Sequence, residues 1–183
     1  MLFGIPSAVQ RGARLFRGRE RTSAGGWISR DEAIMGTAIR VELWSDDRTA
    51  GVLAIDAVME EMHRIDHAMS PFKPASELSR INRDAAAAAV PVSEEMFRLL
   101  ERALELSELS DGAFDITYAS AGHLYDYREG VKPTDQALAQ ACAAIGWRHL
   151  ILDRAARTVR FARAGMRIDL GGFAKGHAVD NGA

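Results

Sequence analysis

Hydrophobic residues in this chain recur with two periods, which predict a mixture of strands and helices. Ile39, Val41 and Leu43 alternate with charged residues, as is typical of a half-buried strand. Elsewhere apolar residues recur at three- and four-residue steps, the period of an amphipathic helix. The predicted helices cover residues 46–68, 93–110 and 134–145, and a short capped helix begins at Ser76 and Glu77.

Further strands are predicted in short apolar runs between these helices. They cover residues 90–92, 147–152, 158–161 and 166–170, and the first is short enough to be an edge strand. Helices and strands interleave without strict βαβ repetition. We therefore predict an α+β fold, with a mixed or antiparallel sheet and flanking helices.

Composition limits the class of protein. The chain has 183 residues, 48% of them apolar and 26% charged, which is typical of one globular domain with a core of its own. A net charge of −2 argues against nucleic-acid binding. The single Cys142 excludes an internal disulfide and a cysteine-rich metal site. His63 and His67 can share a metal at their four-residue spacing, but no further ligand is near in sequence, so we expect structural roles.

The first thirty residues are strongly basic, with six arginines and only Glu20 as an acid. Mildly apolar residues 1–9 precede the arginines, the reverse of the order in a secretory signal. No stretch approaches the roughly 20 apolar residues of a membrane span. We therefore expect residues 1–32 to be a flexible arm or the product of a misplaced start codon, with a tether to a membrane surface as the alternative. Residues 33–183 are expected to form the domain.

The stretch 167–180 concentrates the candidate chemistry. An apolar run leads into Gly171 and Gly172, a helix follows, and Asp169 and Lys175 flank the glycines. Glycines allow a ligand to approach the backbone, and a starting helix offers unpaired N–H groups, so this pattern suits a phosphate or pyrophosphate. The stretch matches neither the P-loop nor the dinucleotide-binding fingerprint. An ordinary strand-to-helix turn remains the alternative.

Three other segments carry weaker signals. Met35 lies beside Gly36 at the start of the first predicted strand, where core filling is the simpler role. Phe72, in a loop between prolines, either packs on the core or offers a surface for a flat ring. Residues 110–117 form a turn in which Asp115 and Thr117 present oxygen atoms.

Together these segments resemble the ApbE family of FAD:protein FMN transferases. The resemblance lies in Met-Gly-Thr at 35–37, Met-Ser-x-Phe through Ile-Asn at 69–82, Gly-Ala-Phe-Asp-x-Thr at 112–117, and Asp-Leu-Gly-Gly-x-Ala-Lys-Gly at 169–176. The four motifs occur in the family's order, and the resemblance covers about residues 33–183. It implies an ApbE-like fold related to the T-fold.

The resemblance implies an Mg²⁺-dependent enzyme of bacteria that moves FMN from FAD to a Thr or Ser hydroxyl of an acceptor protein and releases AMP. It implies action at the periplasmic face of the inner membrane, although without a convincing signal peptide the cytoplasm stays open. It also implies that the backbone of Gly172 binds Mg²⁺ and assigns no catalytic residue. The implied FAD contacts are Met35, Phe72, Ala113, Phe114, Asp115 and Lys175.

The chain also departs from the family. Family members are much longer, and their C-terminal half carries an Asp and a Thr or Ser that complete the metal site. We therefore expect an N-terminal portion that is weakly active or inactive alone. One alternative is a non-catalytic half-domain that binds flavin or a partner and completes its sheet with a second chain. Another is a plain α+β domain whose motifs are coincidental.

Overall fold

Two small antiparallel sheets and six α-helices make up the part of the chain that the computed structural model describes, residues 25–126 and 129–183. Two short 3₁₀ helices, Ile116–Tyr118 and Trp147–His149, join them. The strands are β1 (Gly26–Ile34), β2 (Thr37–Ser45), β3 (Val90–Pro91), β4 (Leu150–Asp153) and β5 (Thr158–Phe161). The helices are α1 (Arg48–Met69), α2 (Glu77–Asp84), α3 (Glu94–Leu109), α4 (Ala119–Gly122), α5 (Asp135–Cys142) and α6 (Ala174–Gly182). The predicted α+β fold is confirmed.

The first sheet is a hairpin of β1 and β2 closed by a two-residue turn. Ile34 pairs with Thr37, and the turn residues Met35 and Gly36 have φ angles of 53° and 70°. Two successive positive φ angles define a type I′ turn, whose twist matches that of the strands it joins. Met35 therefore lies at the tip of the hairpin, and β2 begins at Thr37.

The predicted flexible arm at residues 1–32 is wrong for its last part, because residues 26–32 lie in β1. Alternate residues of β1 are less exposed than their neighbours, and Ile28 packs against the core. That packing, together with the full ladder to β2, holds the segment in place. The rest of the predicted arm, residues 1–24, lies outside the described residues.

Helix α1 forms the central support of the fold and confirms the helix predicted over residues 46–68. Its N-cap Asp47 accepts hydrogen bonds from the N–H groups of Thr49 and Ala50 at 2.8 and 3.2 Å. A buried stripe runs its length and packs against the hairpin and α6. The stripe consists of Gly51, Ile55, Met59, Met62, Ile65 and Met69.

The second sheet has the strand order β3-β5-β4, with both pairings antiparallel. Val90 pairs with Val159, and Leu150 pairs with Phe161. The short β3 lies at an edge of this sheet, as its sequence predicts. Apolar residues of this sheet join those of α1, α2 and α3 in one core.

The strand predicted over residues 166–170 is absent from the structure. Met166, Ile168 and Leu170 are buried, as the apolar alternation requires, but the segment belongs to neither sheet. Its backbone groups bond instead to the side chains of Asn82 and Ser120. The sequence pattern therefore predicted the burial of this segment correctly. Its backbone hydrogen bonds to Asn82 and Ser120, however, are made to side chains and not to another strand.

Candidate functional site: a cavity beside the glycine turn

A cavity of about 590 Å³ opens where four segments meet. The hairpin turn, the C-terminal end of α1, the loop 70–73 and the start of α6 surround it. Cationic and acidic side chains line it next to apolar ones. The charged lining residues are Asp66, Lys73, Asp169 and Lys175, and His63 lies among them.

The glycine turn ends in a helix start with unused hydrogen-bond donors. The backbone N–H groups of Phe173 and Ala174 both donate to the carbonyl of Leu170, at 2.8 and 2.7 Å. Within the described residues, the N–H groups of Lys175 and Gly176 have no acceptor, and α6 has no side-chain cap. Such groups, with the positive end of the helix dipole, favour an anion. Lys175 adds a full positive charge at the same cavity wall.

Asp169 shapes the turn from within. Its Oδ1 accepts a hydrogen bond from the N–H of Gly171 at 2.7 Å and another from the hydroxyl of Tyr118 at 3.2 Å. Burial and the negative charge of Asp169 raise the pKa of Tyr118. The phenol therefore stays protonated as the donor to this carboxylate near neutral pH.

The loop before α2 presents an aromatic ring at the cavity mouth. Phe72 is 87% exposed, which contradicts packing on the core and agrees with a free ring surface. The loop is nevertheless held at two points: Lys73 Nζ lies 2.6 Å from Asp66 Oδ2, and Ser76 Oγ donates a hydrogen bond to the backbone carbonyl of Ser70 at 2.7 Å. An exposed ring on a restrained loop is suited to stacking on a flat ligand.

The structure brings together only some of the predicted site residues. Met35, Phe72 and Lys175 line the cavity, and Gly172 follows directly after Gly171, which also lines it. The predicted flavin contacts of Met35, Phe72 and Lys175 stay predictions.

Residues 113–115 do not line the cavity. Phe114 lies behind the glycine turn in an edge-to-face contact with Phe173, 5.3 Å between ring centroids. The carboxylate of Asp115 accepts hydrogen bonds from the N–H and hydroxyl of Thr117 at 2.8 and 2.6 Å and from the N–H of Trp147 at 3.0 Å. This turn supports the cavity wall, and direct FAD contacts by Ala113, Phe114 and Asp115 stay a prediction.

The predicted metal ligand Gly172 is exposed, and no described residue donates a hydrogen bond to its carbonyl. A free carbonyl oxygen is a suitable ligand for Mg²⁺, which binds few protein atoms and keeps waters or substrate phosphates. Residues 25–126 and 129–183 hold no group of three His, Cys, Asp or Glu side chains placed for a metal ion. The described residues can therefore supply one protein ligand, the Gly172 carbonyl, to a phosphate-bound Mg²⁺.

The two histidines with four-residue spacing make structural contacts. His63 Nε2 lies 2.9 Å from Glu32 Oε2, and His67 Nδ1 lies 2.8 Å from the His63 carbonyl.

Sequence reasoning missed the cavity-lining pair Asp66 and Lys73. Lysine is rare in this chain, occurring at 73, 132 and 175 only. Two of these three line the cavity, so the rarity of the residue type was the available signal. Asp66 carries no such signal, because acids are common on the exposed side of α1.

A polar network anchors α6 on the side away from the turn. Arg64 donates to both Glu61 and Glu95, and Glu95 also contacts His177. Asn181 Nδ2, one turn beyond His177, donates to Glu61 at 2.7 Å. The hydrogen bonds from Arg64 lower the pKa of Glu95 to about 2, and the hydrogen bonds to Glu61 and Glu95 raise the pKa of Arg64. The network thus joins α1, α3 and α6 through the ion pairs of Arg64 with Glu61 and Glu95 and through the contacts of these two carboxylates with His177 and Asn181.

Within the described residues, no helix has the length and apolar character needed to cross a membrane.

The fold and the site define a small α+β domain in which a helix start with free N–H groups lies beside a cavity with an exposed aromatic ring at its mouth. The ApbE family model matches residues 35–183, and the chain therefore belongs to the ApbE family. This match overturns the alternative of coincidental motifs in a plain α+β domain.

Relatives of known sequence support the same assignment. The FAD:protein FMN transferase of Treponema pallidum is 32% identical over 160 residues, covering 83% of this chain and 44% of the relative. That of Haemophilus influenzae is 28% identical over 168 residues, covering 84% of this chain and 47% of the relative. The chain thus spans about half the length of the curated relatives it matches.

Solved structures show the same fold. The ApbE protein of Thermotoga maritima superposes with a TM-score of 0.78 at 28% identity, covering 86% of this chain and 51% of that one. The flavin transferase ApbE of Vibrio cholerae superposes with a TM-score of 0.75 at 24% identity, covering 86% of this chain and 52% of that one. The antiparallel sheets and helices described above are therefore the ApbE fold over the matched half.

Proposed function

We propose that this chain supplies the FAD-binding part of an FAD:protein FMN transferase. The observation that carries the proposal is the helix start at Lys175 and Gly176, whose free N–H groups and lysine charge lie beside a cavity with an exposed aromatic ring. Relatives of similar sequence carry this enzyme name. The family's action at the periplasmic face of the bacterial inner membrane belongs to the same proposal.

Each wall of the cavity suits one part of FAD. The start of α6 and Lys175 suit the pyrophosphate, because backbone donors and a cation stabilise its two negative charges. The ring of Phe72 suits a flat ring system, either the isoalloxazine or the adenine. Met35, at the tip of the hairpin, adds a polarisable apolar contact to the cavity lining.

The reaction we propose is a phosphoryl-type transfer. A Thr or Ser hydroxyl oxygen of the acceptor protein forms a bond to the FMN phosphorus of FAD, and the bond from that phosphorus to the AMP oxygen breaks. The hydroxyl proton leaves, and AMP departs with the bond electrons. We assign no base for this proton among the described residues. Their proposed part is to bind FAD and to hold its pyrophosphate against positive charge.

Mg²⁺ belongs to the proposal as a phosphate-bound ion with the Gly172 carbonyl as one ligand. When bound, it neutralises phosphate charge and stabilises the charge that develops on the leaving group. The role of this chain is to hold the Gly172 carbonyl outward. Asp169 does so by fixing the preceding turn through the N–H of Gly171.

A second candidate function is a half-domain that binds flavin or a partner without catalysis. One observation favours it: within the described residues, β1 and β2 pair only with each other, so each has an unpaired outer edge. A lone two-stranded hairpin with free edges is a template for another strand. In this function a second chain completes the sheet.

The test mixes the purified chain with FAD, Mg²⁺ and an acceptor protein carrying a flavinylation-type Thr motif. Binding of FAD is measured by calorimetry, and transfer by flavin fluorescence on the acceptor in a denaturing gel. The same acceptor with its target Thr changed to Ala, and a reaction with chelator in place of Mg²⁺, are the controls. A fluorescent acceptor supports the transferase. Binding without transfer favours the half-domain, and absence of FAD binding by a folded chain contradicts both.

A further inference from the structure

The apolar segment that leads into the glycine turn behaves as a strand without a sheet. Met166, Ile168 and Leu170 are at most 2% exposed, so their backbone polar groups lie where water cannot easily pair with them. Buried N–H and C=O groups need partners, and a neighbouring strand would be the usual source. Here the partners come from side chains of two separate helices.

Asn82 of α2 replaces one residue of the missing strand. Its Oδ1 accepts a hydrogen bond from the N–H of Ile168 at 2.8 Å, and its Nδ2 donates to the carbonyl of the same residue at 2.9 Å. The side-chain amide thus pairs with Ile168 as a peptide group does in an antiparallel ladder. The two residues are 86 positions apart in the chain.

Ser120 of α4 does the same for the preceding residue. Its hydroxyl accepts from the N–H of Arg167 at 2.9 Å and lies 3.3 Å from the carbonyl of Arg167 as a donor. The N–H of Asp169 donates to the carbonyl of Ile116 at 3.0 Å. The three residues before Leu170 are therefore each fixed from outside the segment.

Helix α2 connects this anchor to the opposite wall of the cavity. Its N-cap Ser76 holds the Phe72 loop through the carbonyl of Ser70, and Asn82, near its C-terminal end, holds Ile168. The helix has eight residues, a length of about 12 Å at 1.5 Å per residue. One short rigid element thus sets how far the aromatic ring lies from the glycine turn.

We propose that Asn82 is a positioning residue, which places the glycine turn at a fixed separation from Phe72 through its paired hydrogen bonds to Ile168. This assignment rests on the proposed function. At that separation, Phe72 and the glycine turn contact the flat ring and the pyrophosphate of the same FAD molecule. Asp169 transmits the position, because it follows Ile168 directly and its carboxylate holds the N–H of Gly171. Neither Asn82 nor Ile168 lines the cavity.

The first arm of the test needs no ligand. Hydrogen exchange of backbone amides is measured by NMR in the wild-type chain, in Asn82→Leu and in Asn82→Asp. We expect the Gly171 amide, which Asn82 does not contact, to lose protection in Asn82→Leu by about tenfold, as a local opening would produce. Ionised aspartate accepts from the Ile168 N–H but repels its carbonyl, whereas protonated aspartic acid restores both bonds. Protection in Asn82→Asp should therefore recover as the pH is lowered, relative to wild type at each pH.

The matched control is Asp47→Ala, which removes the N-cap of α1 at the end of that helix far from the cavity. Capping loss destabilises the whole domain without touching the glycine turn. If Gly171 protection falls equally in Asp47→Ala at matched overall stability, Asn82 is only a structural residue and the proposal is overturned. An unchanged Gly171 amide in a folded Asn82→Leu overturns it as well.

The second arm measures FAD affinity in the same variants under conditions where each is folded. Asn82→Leu should bind FAD about tenfold more weakly than wild type, because a displaced glycine turn is no longer aligned with Phe72 for binding the same ligand. Asp47→Ala should bind it unchanged. Wild-type affinity in a folded Asn82→Leu rejects the positioning role. If the wild-type chain binds no FAD, the proposed function fails, while the exchange of Gly171 still decides whether Asn82 positions the turn.

Discussion

Nε2 of His177 in α6 lies 2.7 Å from Oε1 of Glu95 in α3. The same Oε1 accepts a hydrogen bond from Nη2 of Arg64 in α1 at 2.6 Å. Glu95 thus connects the helix that begins at the glycine turn to the two helices that support it. The contact places the Glu95 carboxylate, whose side chain is about a quarter exposed, against α6 two residues after Lys175.

Replacement of this carboxylate should destabilise the domain. Glu95→Gln keeps the side-chain shape but removes the charge that Arg64 and His177 face. Hydrogen bonds to charged groups contribute about 1.5–3 kcal/mol each, and part of this is recovered by solvent at a partly exposed site, so we expect a loss of about 1–2 kcal/mol. Urea unfolding at pH 7 measures it.

The neighbouring Glu94→Gln is the control for Glu95→Gln. Glu94 forms ion pairs with Arg98 and Arg157 while its side chain is 61% exposed, so its removal should change the free energy of unfolding by under about 0.5 kcal/mol. Equal losses in the two variants would mean that the network around Glu95 contributes no more than a surface ion pair.

Acid should weaken the same network. The pKa of Glu95 in the folded chain is about 2, below its ordinary value of 4.5, so the ionised form is favoured by folding. The contribution of the Glu95 carboxylate to the free energy of unfolding is complete above about pH 4.5 and is lost as the pH falls toward 2. Between pH 5 and pH 3 the wild type should therefore lose more stability than Glu95→Gln. Parallel pH profiles for the two proteins would contradict this.

Removal of the cavity lysine should weaken FAD binding. Lys175→Ala deletes the positive charge beside the helix start, and we expect about a tenfold rise in the dissociation constant, or ~1.4 kcal/mol. The effect should shrink at high salt, because an exposed charge is screened. Lys132→Ala, an exposed lysine outside the cavity, is the control. Unchanged affinity in Lys175→Ala would remove this residue from the site.

Loss of the exposed ring should reduce binding without reducing stability. Phe72 is 87% exposed, so Phe72→Ala removes little buried area, but it removes a stacking surface with a value of about 1–3 kcal/mol per ring. Phe72→Tyr should retain affinity. Leu109→Ala, another large apolar side chain with 79% exposure, should alter neither property. A large drop in the unfolding midpoint of Phe72→Ala would show that the ring packs on the protein in solution.

Replacement of Gly176, which lies inside α6, should change stability and FAD affinity in opposite directions. A Cβ at Gly176 meets no atom within 4 Å, and the residue lies in helix, so Gly176→Ala should stabilise the chain by about 0.5–1 kcal/mol. FAD affinity should fall in the same variant, because the methyl group occupies the approach to the free N–H groups.

Gly36→Ala provides the opposite case. Gly36 also has open space around it, but its φ angle is 70°, so Gly36→Ala should destabilise by about 1 kcal/mol. Thermal unfolding distinguishes the two signs. Stabilisation by Gly36→Ala would show that the hairpin turn does not depend on this backbone conformation.

Local sequence patterns were sufficient to predict most of the helices and strands. The alternation at 39–43 and the capped helices at Ser76 and Ser93 gave elements close to those observed, because caps and periodicity act within a few residues. The helix predicted over 134–145 is also present, although α5 ends at Cys142 and buries none of its residues. Periodicity reports an apolar stripe, whereas its burial depends on which elements pack against it.

Long-range partners could not be predicted in this way. Nothing near residue 168 in sequence indicates that an amide 86 positions earlier would replace a strand, so a buried alternating run was mistaken for one. Likewise the motif around Asp115 does not indicate that its carboxylate accepts a hydrogen bond from the N–H of Trp147, 32 positions later, while the predicted FAD contact of Asp115 stays a prediction. Motif spacing identified the glycine turn and Lys175, because that chemistry is local, but not which neighbours support them.

The scarcity of lysine has a practical consequence. Primary amines on side chains occur at three positions, and Lys73 and Lys175 face the cavity, while Lys132 does not. An amine-directed acylating reagent therefore serves as a footprint of the cavity, with Lys132 as an internal standard in the same mass spectrum. Lys73, held by Asp66, should react more slowly than the exposed Lys175. Arginine carries the other fixed positive charges of the side chains, so Lys132 is the one side chain outside the cavity that should react with such a reagent.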